Sequence, residues 1–149
     1  MTQLPYPGII KEKQRVNLEA IEHKSPIGII YFDFNVANYN NAKQIGVVPK
    51  NSIIATDIII RIDERFTGTE TELRVYYSNV SNETLIGFAS INSVEVVVFG
   101  GIPGSYPGFG KKTNIEVPLV ITVISRAGTT KPTRGSGYGV LKYLMLDRI

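Results

Sequence analysis

Residues 53–62 read IIATDIIIRI, with six isoleucines in ten positions. β-Branched side chains lose χ1 freedom in a helix and pack well on a pleated surface, so this run demands a strand. Read with period two, Ile54, Thr56, Ile58, Ile60 and Ile62 share one face. Ile53, Ala55, Asp57, Ile59, Arg61 and Asp63 share the other. The first face is expected in a core. The second is mixed, which is how an apolar strand comes to carry an aspartate and an arginine. Pro49-Lys50-Asn51-Ser52 introduces the strand with turn chemistry, and Phe66-Thr67-Gly68 closes it.

The same period recurs along the chain. Ile30, Phe32, Phe34 and Val36 alternate with Tyr31, Asp33 and Asn35, and the polar loop ANYNNAKQ follows. ELRVYYS sets Leu73, Val75 and Tyr77 on one face, and TLIGFAS reads as a short strand. SVEVVVF is expected to turn Val94, Val96 and Val98 inward. NIEVPLVITVISR aligns Ile115, Val117, Leu119, Ile121 and Val123, with Pro118 pointing to an edge strand or a bulge. VLKYLMLDRI is apolar on both faces, which marks a central or covered strand. About seven or eight strands with no helix predict an all-β, antiparallel β-sandwich, jelly-roll-like in type. Residues 1–26 break the pattern with Pro5, Pro7, Gly8 and a charged run. They are expected to form an extended N-terminal arm, leaving residues 27–149 as the sandwich domain.

The chain of 149 residues suits one domain with a real core. It has no cysteine, which excludes disulfides and thiolate metal sites. The first residues lack a basic segment followed by an apolar one, so no secretory signal is expected and synthesis in a cytoplasm is. Apolar runs of about five residues fall short of the ~18 that span a bilayer, so no membrane partner is expected. Net charge is +3, but from Lys111 onward seven basic residues meet two acidic ones, leaving the rest at −2. This basic third suits either a solvated hairpin with ordinary surface lysines or an acidic protein surface. Nucleic acid is not expected, because no aromatic residues are interleaved with the charges as a stacking platform requires.

Two stretches together have a resemblance. IGVVPKNSIIATDIIIRIDERFTG followed by LRVYYSNVSNETLIGFASI gives a Pro/Asn turn, a long alternating strand, aromatic-x-Gly, a further strand and a polar loop. VPLVITVISRAGTTKPTRGSGYGVLKYLML gives a closing hairpin around a Gly/Thr-rich loop. Residues 45–146 in this way resemble a family of small β-sandwich virion proteins of tailed bacteriophages. Members are usually head decoration, head fibre or other minor structural proteins. The loop GGIPGSYPGFGKK departs from that family, which more often has a short turn there.

Gly110-Lys111-Lys112 puts lysine where a phosphate loop needs Ser or Thr, and Ser105 stands where it needs Gly. GSGYG, residues 135–139, precedes a strand where a dinucleotide fingerprint opens a helix, and is expected to be a hairpin loop. His23 is the single histidine and has no nucleophile partner in its charged segment. Asp57, Asp63, Glu64, Glu70 and Glu72 lack calcium-loop spacing and are expected to be solvated near Arg61, Arg65 and Arg74. No catalytic residue, metal ligand or cofactor is expected.

The resemblance and the absence of a catalytic set imply a virion structural protein, located in the virion. It would be a capsid-associated auxiliary protein that binds the major capsid protein or other virion proteins in multiple copies. The expected interface residues are Leu4, Tyr6, Ile9 and Ile10 of the arm, with Ile102, Tyr106, Phe109, Lys111 and Lys112 of the glycine-rich loop, the alternative for that loop being that it folds back onto the sandwich. A tail, neck or portal-vertex component is a second reading. A carbohydrate-binding module stacking sugars on Tyr76, Tyr77, Tyr106 and Phe109 is a third, although the chain has no tryptophan.

Overall fold

The computed structural model describes residues 25–78, 83–100, 107–126 and 130–149. Residues 1–24 of the expected arm, His23 among them, lie outside these residues. Among the described residues nine strands follow one another: β1 (Ile27–Asn35), β2 (Lys43–Val48), β3 (Ser52–Ile53), β4 (Ile58–Glu64), β5 (Thr71–Ser78), β6 (Glu83–Ser90), β7 (Val96–Phe99), β8 (Val117–Ser125) and β9 (Ser136–Met145). They form two antiparallel sheets, ordered β1-β9-β4-β7 and β2-β8-β5-β6, with β3 pairing the end of β9. The protein is a β-sandwich.

The core lies between the sheets. Ile30, Phe32 and Phe34 from β1, Ile58, Ile60 and Ile62 from β4, and Leu73, Val75 and Tyr77 from β5 all point into it. Val117, Leu119, Ile121 and Val123 of β8 join them. The alternation read from the sequence holds for these four strands. Ile115 does not follow, being 61% exposed before β8 begins.

Four expectations are corrected. The run 53–63 is two strands and not one. Ile53 pairs Leu144 and Ile59 pairs Val140, so six steps on one side match four on β9, and two extra residues loop out. The Ile54 carbonyl instead accepts from the Gly110 N–H at 2.7 Å. Ile54 stays buried, but Thr56 is exposed. The second correction concerns β7. Its register sets Phe99 opposite Ile58 and Val97 opposite Ile60. Opposed residues share a face, so Val97 and Phe99 turn toward the core. Val94, Val96 and Val98 are left 64%, 60% and 54% exposed.

The third correction is GSGYG. Ser136–Gly139 belong to β9, and the glycines make room for rings. Gly139 opposes Phe32 and Gly137 opposes Phe34. A Cβ at 139 would meet the Phe32 ring at 2.6 Å, and one at 137 would meet the Phe34 ring at 2.7 Å and the Arg61 carbonyl at 2.6 Å. Fourth, β8 lies inside its sheet, not at an edge. Pro118 is tolerated at its start because only Val47 of β2 lies opposite, the β5 ladder beginning at Leu119. The bulge expected from the proline is on β2, between Gln44 and Gly46.

The Pro49-Lys50-Asn51-Ser52 turn is a junction. Asn51 adopts φ +61°, its N–H donates to Thr113 O at 2.8 Å, and its carbonyl accepts from Leu146 N at 3.0 Å. Thr113 closes the knot: its hydroxyl accepts from Ser52 N at 3.0 Å and donates to Pro49 O at 2.7 Å. The turn thereby ties the segment after the glycine-rich loop to the end of the chain.

Candidate interaction surface

Two regions present groups that a partner could meet. The first is the end of the sandwich where residues 107–117 return to β8. A cavity of about 340 Å³ opens there, lined by Tyr77, Thr84, Lys111, Lys112, Asn114 and Ile115 among others. Lys111 and Lys112 are exposed. The Tyr77 hydroxyl is buried without a hydrogen-bond partner, and burial pushes its pKa up to about 12.

Phe109 corrects the expectation of an exposed aromatic anchor. It is wholly buried and belongs to the core. The backbone on either side holds it there: Gly108 N donates to Leu85 O at 2.8 Å and Gly110 N to Ile54 O at 2.7 Å. Leu4, Tyr6, Ile9, Ile10, Ile102 and Tyr106 lie outside the described residues. The sugar-stacking set is also corrected, since Tyr76 and Tyr77 are 7% and 6% exposed and their rings are not available as platforms.

The acidic cluster is dispersed by pairing. Arg61 Nε meets Asp63 Oδ1 at 3.0 Å, and Arg134 approaches Glu64 at 4.0 Å. Glu72 departs from the solvated reading: it is 3% exposed and bound by Arg74 Nε at 2.9 Å. Among the described residues, no group of three His, Cys, Asp or Glu side chains could hold a metal ion.

The second region is the outer face of the β1-β9-β4-β7 sheet, which the sequence reading did not single out. Tyr31 pairs with Val140, Val140 with Ile59, and Ile59 with Val98, so an apolar row crosses all four strands. Tyr31 is 76% exposed, Val98 54% and Ile59 43%. Ile27, Ile29, Tyr138 and Val96 extend the patch on either side of that row. Arg61 lies over the Tyr138 ring at 4.5 Å. Asp33, at the margin, is bound by Lys43, whose hydrogen bond and charge hold its carboxyl below 3.8. The signal was present in the sequence, because β1, β4 and β7 carry apolar residues at outward as well as inward positions.

The sandwich has a fold found among solved structures. It is similar to a chain in the acidic stable capsid structure of Helicobacter pylori bacteriophage KHP30, at 9% identity and a TM-score of 0.55, covering 80% of this chain and 88% of that one. It is also similar to a chain of the cyanophage Pam1 capsid asymmetric unit, at 14% identity and a TM-score of 0.51, covering 80% and 84%. At such identities the likeness is one of fold. No family model matches the sequence, and no curated protein matches it.

Proposed function

We propose that this protein is a structural protein of a tailed-bacteriophage virion, a capsid-associated auxiliary or decoration protein present in many copies. The observation that carries the reading is the likeness of the sandwich, over 80% of the chain, to chains of two phage capsids. The strand order supports it. Sheets ordered β1-β9-β4-β7 and β2-β8-β5-β6, with the chain passing back and forth between them, fit a jelly-roll-like reading, an architecture used in viral capsid domains.

The role is mechanical. The sandwich is a rigid block whose aromatic rings lock onto glycines across β1 and β9. Lys111 and Lys112 offer charge to an acidic capsid surface, while Leu4, Tyr6, Ile9, Ile10, Ile102 and Tyr106 supply apolar groups for a neighbour. Binding of this kind stabilises a particle by mass action.

Quantitative mass spectrometry of purified particles, with copies counted per genome, tests the proposal. Hundreds of copies support the capsid role. A count of roughly six to twelve moves the protein to a tail, neck or portal ring with closed cyclic symmetry. Its absence from particles overturns the virion reading.

A further inference from the structure

We propose that the cavity between the 107–117 segment and the Tyr77 end of β5 is a binding site for a small organic acid, a carboxylate carried on an apolar body. The inference stands on the cavity itself and does not rest on the virion reading.

The walls are of two kinds. Pro107, Ile115, Val117 and Tyr77 offer apolar surface, whereas Lys111, Lys112 and Asn114 offer hydrogen-bond donors. Ile115 and Val117 line the cavity but Glu116 between them does not, and among the described residues no carboxylate lines it. A volume of about 340 Å³ falls at the small end of the roughly 300–1,000 Å³ of ligand sites, which are mostly apolar with a few placed polar groups. The 108–113 stretch is fixed by the chain itself. Gly108 N and Gly110 N donate to Leu85 O and Ile54 O, and Thr113 is tied to Pro49 and Ser52.

Two observations select an acid. Lys43, Arg61, Arg74 and Arg134 each meet a carboxylate of the chain, but among the described residues neither Lys111 nor Lys112 does. The second is Tyr77, 6% exposed, whose hydroxyl has no partner. A buried hydroxyl left unmatched costs stability, so its presence in a native wall calls for a reason. Burial keeps the phenol neutral up to about pH 12, and it therefore holds a proton to donate. Two cations and an unused hydroxyl thus border one cavity that has no negative charge among its described walls. A carboxylate accepts from both kinds of group. A cation would be repelled by the lysines, and a hydrocarbon would leave the hydroxyl unmatched.

Titration of the full chain with 3-phenylpropionate, followed by backbone amide NMR, tests this beside its uncharged counterpart 3-phenylpropionamide. The acid should give saturable shifts at Gly108 and at Lys111 to Ile115, and the amide should bind at least about tenfold more weakly. A Lys111→Ala/Lys112→Ala variant, altered only at exposed side chains, should lose about tenfold in affinity for the acid and most of its salt dependence. Tyr77→Phe should weaken the acid severalfold while making the chain more stable, a pairing that a purely structural tyrosine would not give. Absence of saturable binding overturns the proposal. So does equal binding of acid and amide, or binding of the acid that either variant leaves unchanged.

Discussion

The two sheets turn very different outer faces to their surroundings. On β2-β8-β5-β6 the outward side chains are engaged with one another. The Tyr76 hydroxyl lies 2.7 Å from Thr122 Oγ1, Arg74 binds Glu72, and the Arg74 guanidinium stands 6.0 Å above the Phe88 ring. Tyr76 and Val120 are each 7% exposed. On β1-β9-β4-β7 the outward tyrosine at position 31 is 76% exposed, and isoleucines and valines around it are about half exposed. Burying apolar surface is worth roughly 25 cal/mol per Å². One face leaves this surface in water, whereas the other has drawn on its apolar surface during folding.

That contrast can be broken most sharply at two adjacent residues of β4. Ile60→Ala removes a wholly buried side chain and is expected to cost about 2–5 kcal/mol in urea denaturation. Ile59→Ala, one position along on the open face, is expected to cost the isolated chain less than about 1 kcal/mol. Equal costs would mean that the outer face is part of the folding core.

The paired arginines give the next contrast. Arg74→Ala strands the 3%-exposed Glu72 carboxylate and is expected to cost about 1–3 kcal/mol, below the full buried-pair value because Arg74 is itself 42% exposed. Arg61→Ala leaves an Asp63 that water already reaches, and about 0.5 kcal/mol or less is expected. Chemical denaturation of both variants measures the difference.

Tyr77 supplies a smaller effect with a pH signature. Its folded-state pKa of about 12 lies above the ordinary 10, so folding favours the neutral phenol. The stability tied to that protonation is intact below pH 10 and is lost as pH rises through about 12. Tyr77→Phe is expected to flatten that alkaline loss. It should also raise stability at neutral pH by about 1 kcal/mol, since the hydroxyl it removes is buried without a partner. The smallest effect is at Asp33, whose pKa Lys43 lowers. Its contribution is present at neutral pH and fades as pH falls through the lowered value. With its side chain 72% exposed, Asp33→Asn should change stability by at most about 0.5 kcal/mol in the same titration.

Most of the sandwich was legible where apolar and polar residues alternate cleanly. β1, β5 and β8 could be given their inward faces from sequence, and the doubly apolar β9 its central place. β7 was not legible, because four consecutive apolar residues fit either phase and only pairing with Ile58 and Ile60 decides. β2 escaped because KQIGVV is short, partly polar and bulged at Ile45. The glycines of GSGYG looked like a loop because the rings that fill their space lie about a hundred residues earlier. Of the expected interface residues, Lys111 and Lys112 are exposed, while Phe109 follows the alternative of folding back onto the sandwich, where the backbone at Gly108 and Gly110 holds it. The open sheet face was missed because it exists only when four separated strands are set side by side.

Hydroxyl-radical footprinting of the protein in dilute solution tests the contrast most directly. Tyr31 and Tyr138 should label strongly and Tyr76 weakly. Equal labelling of Tyr31 and Tyr76 would contradict the account, because the two outer faces would then be equally open to water.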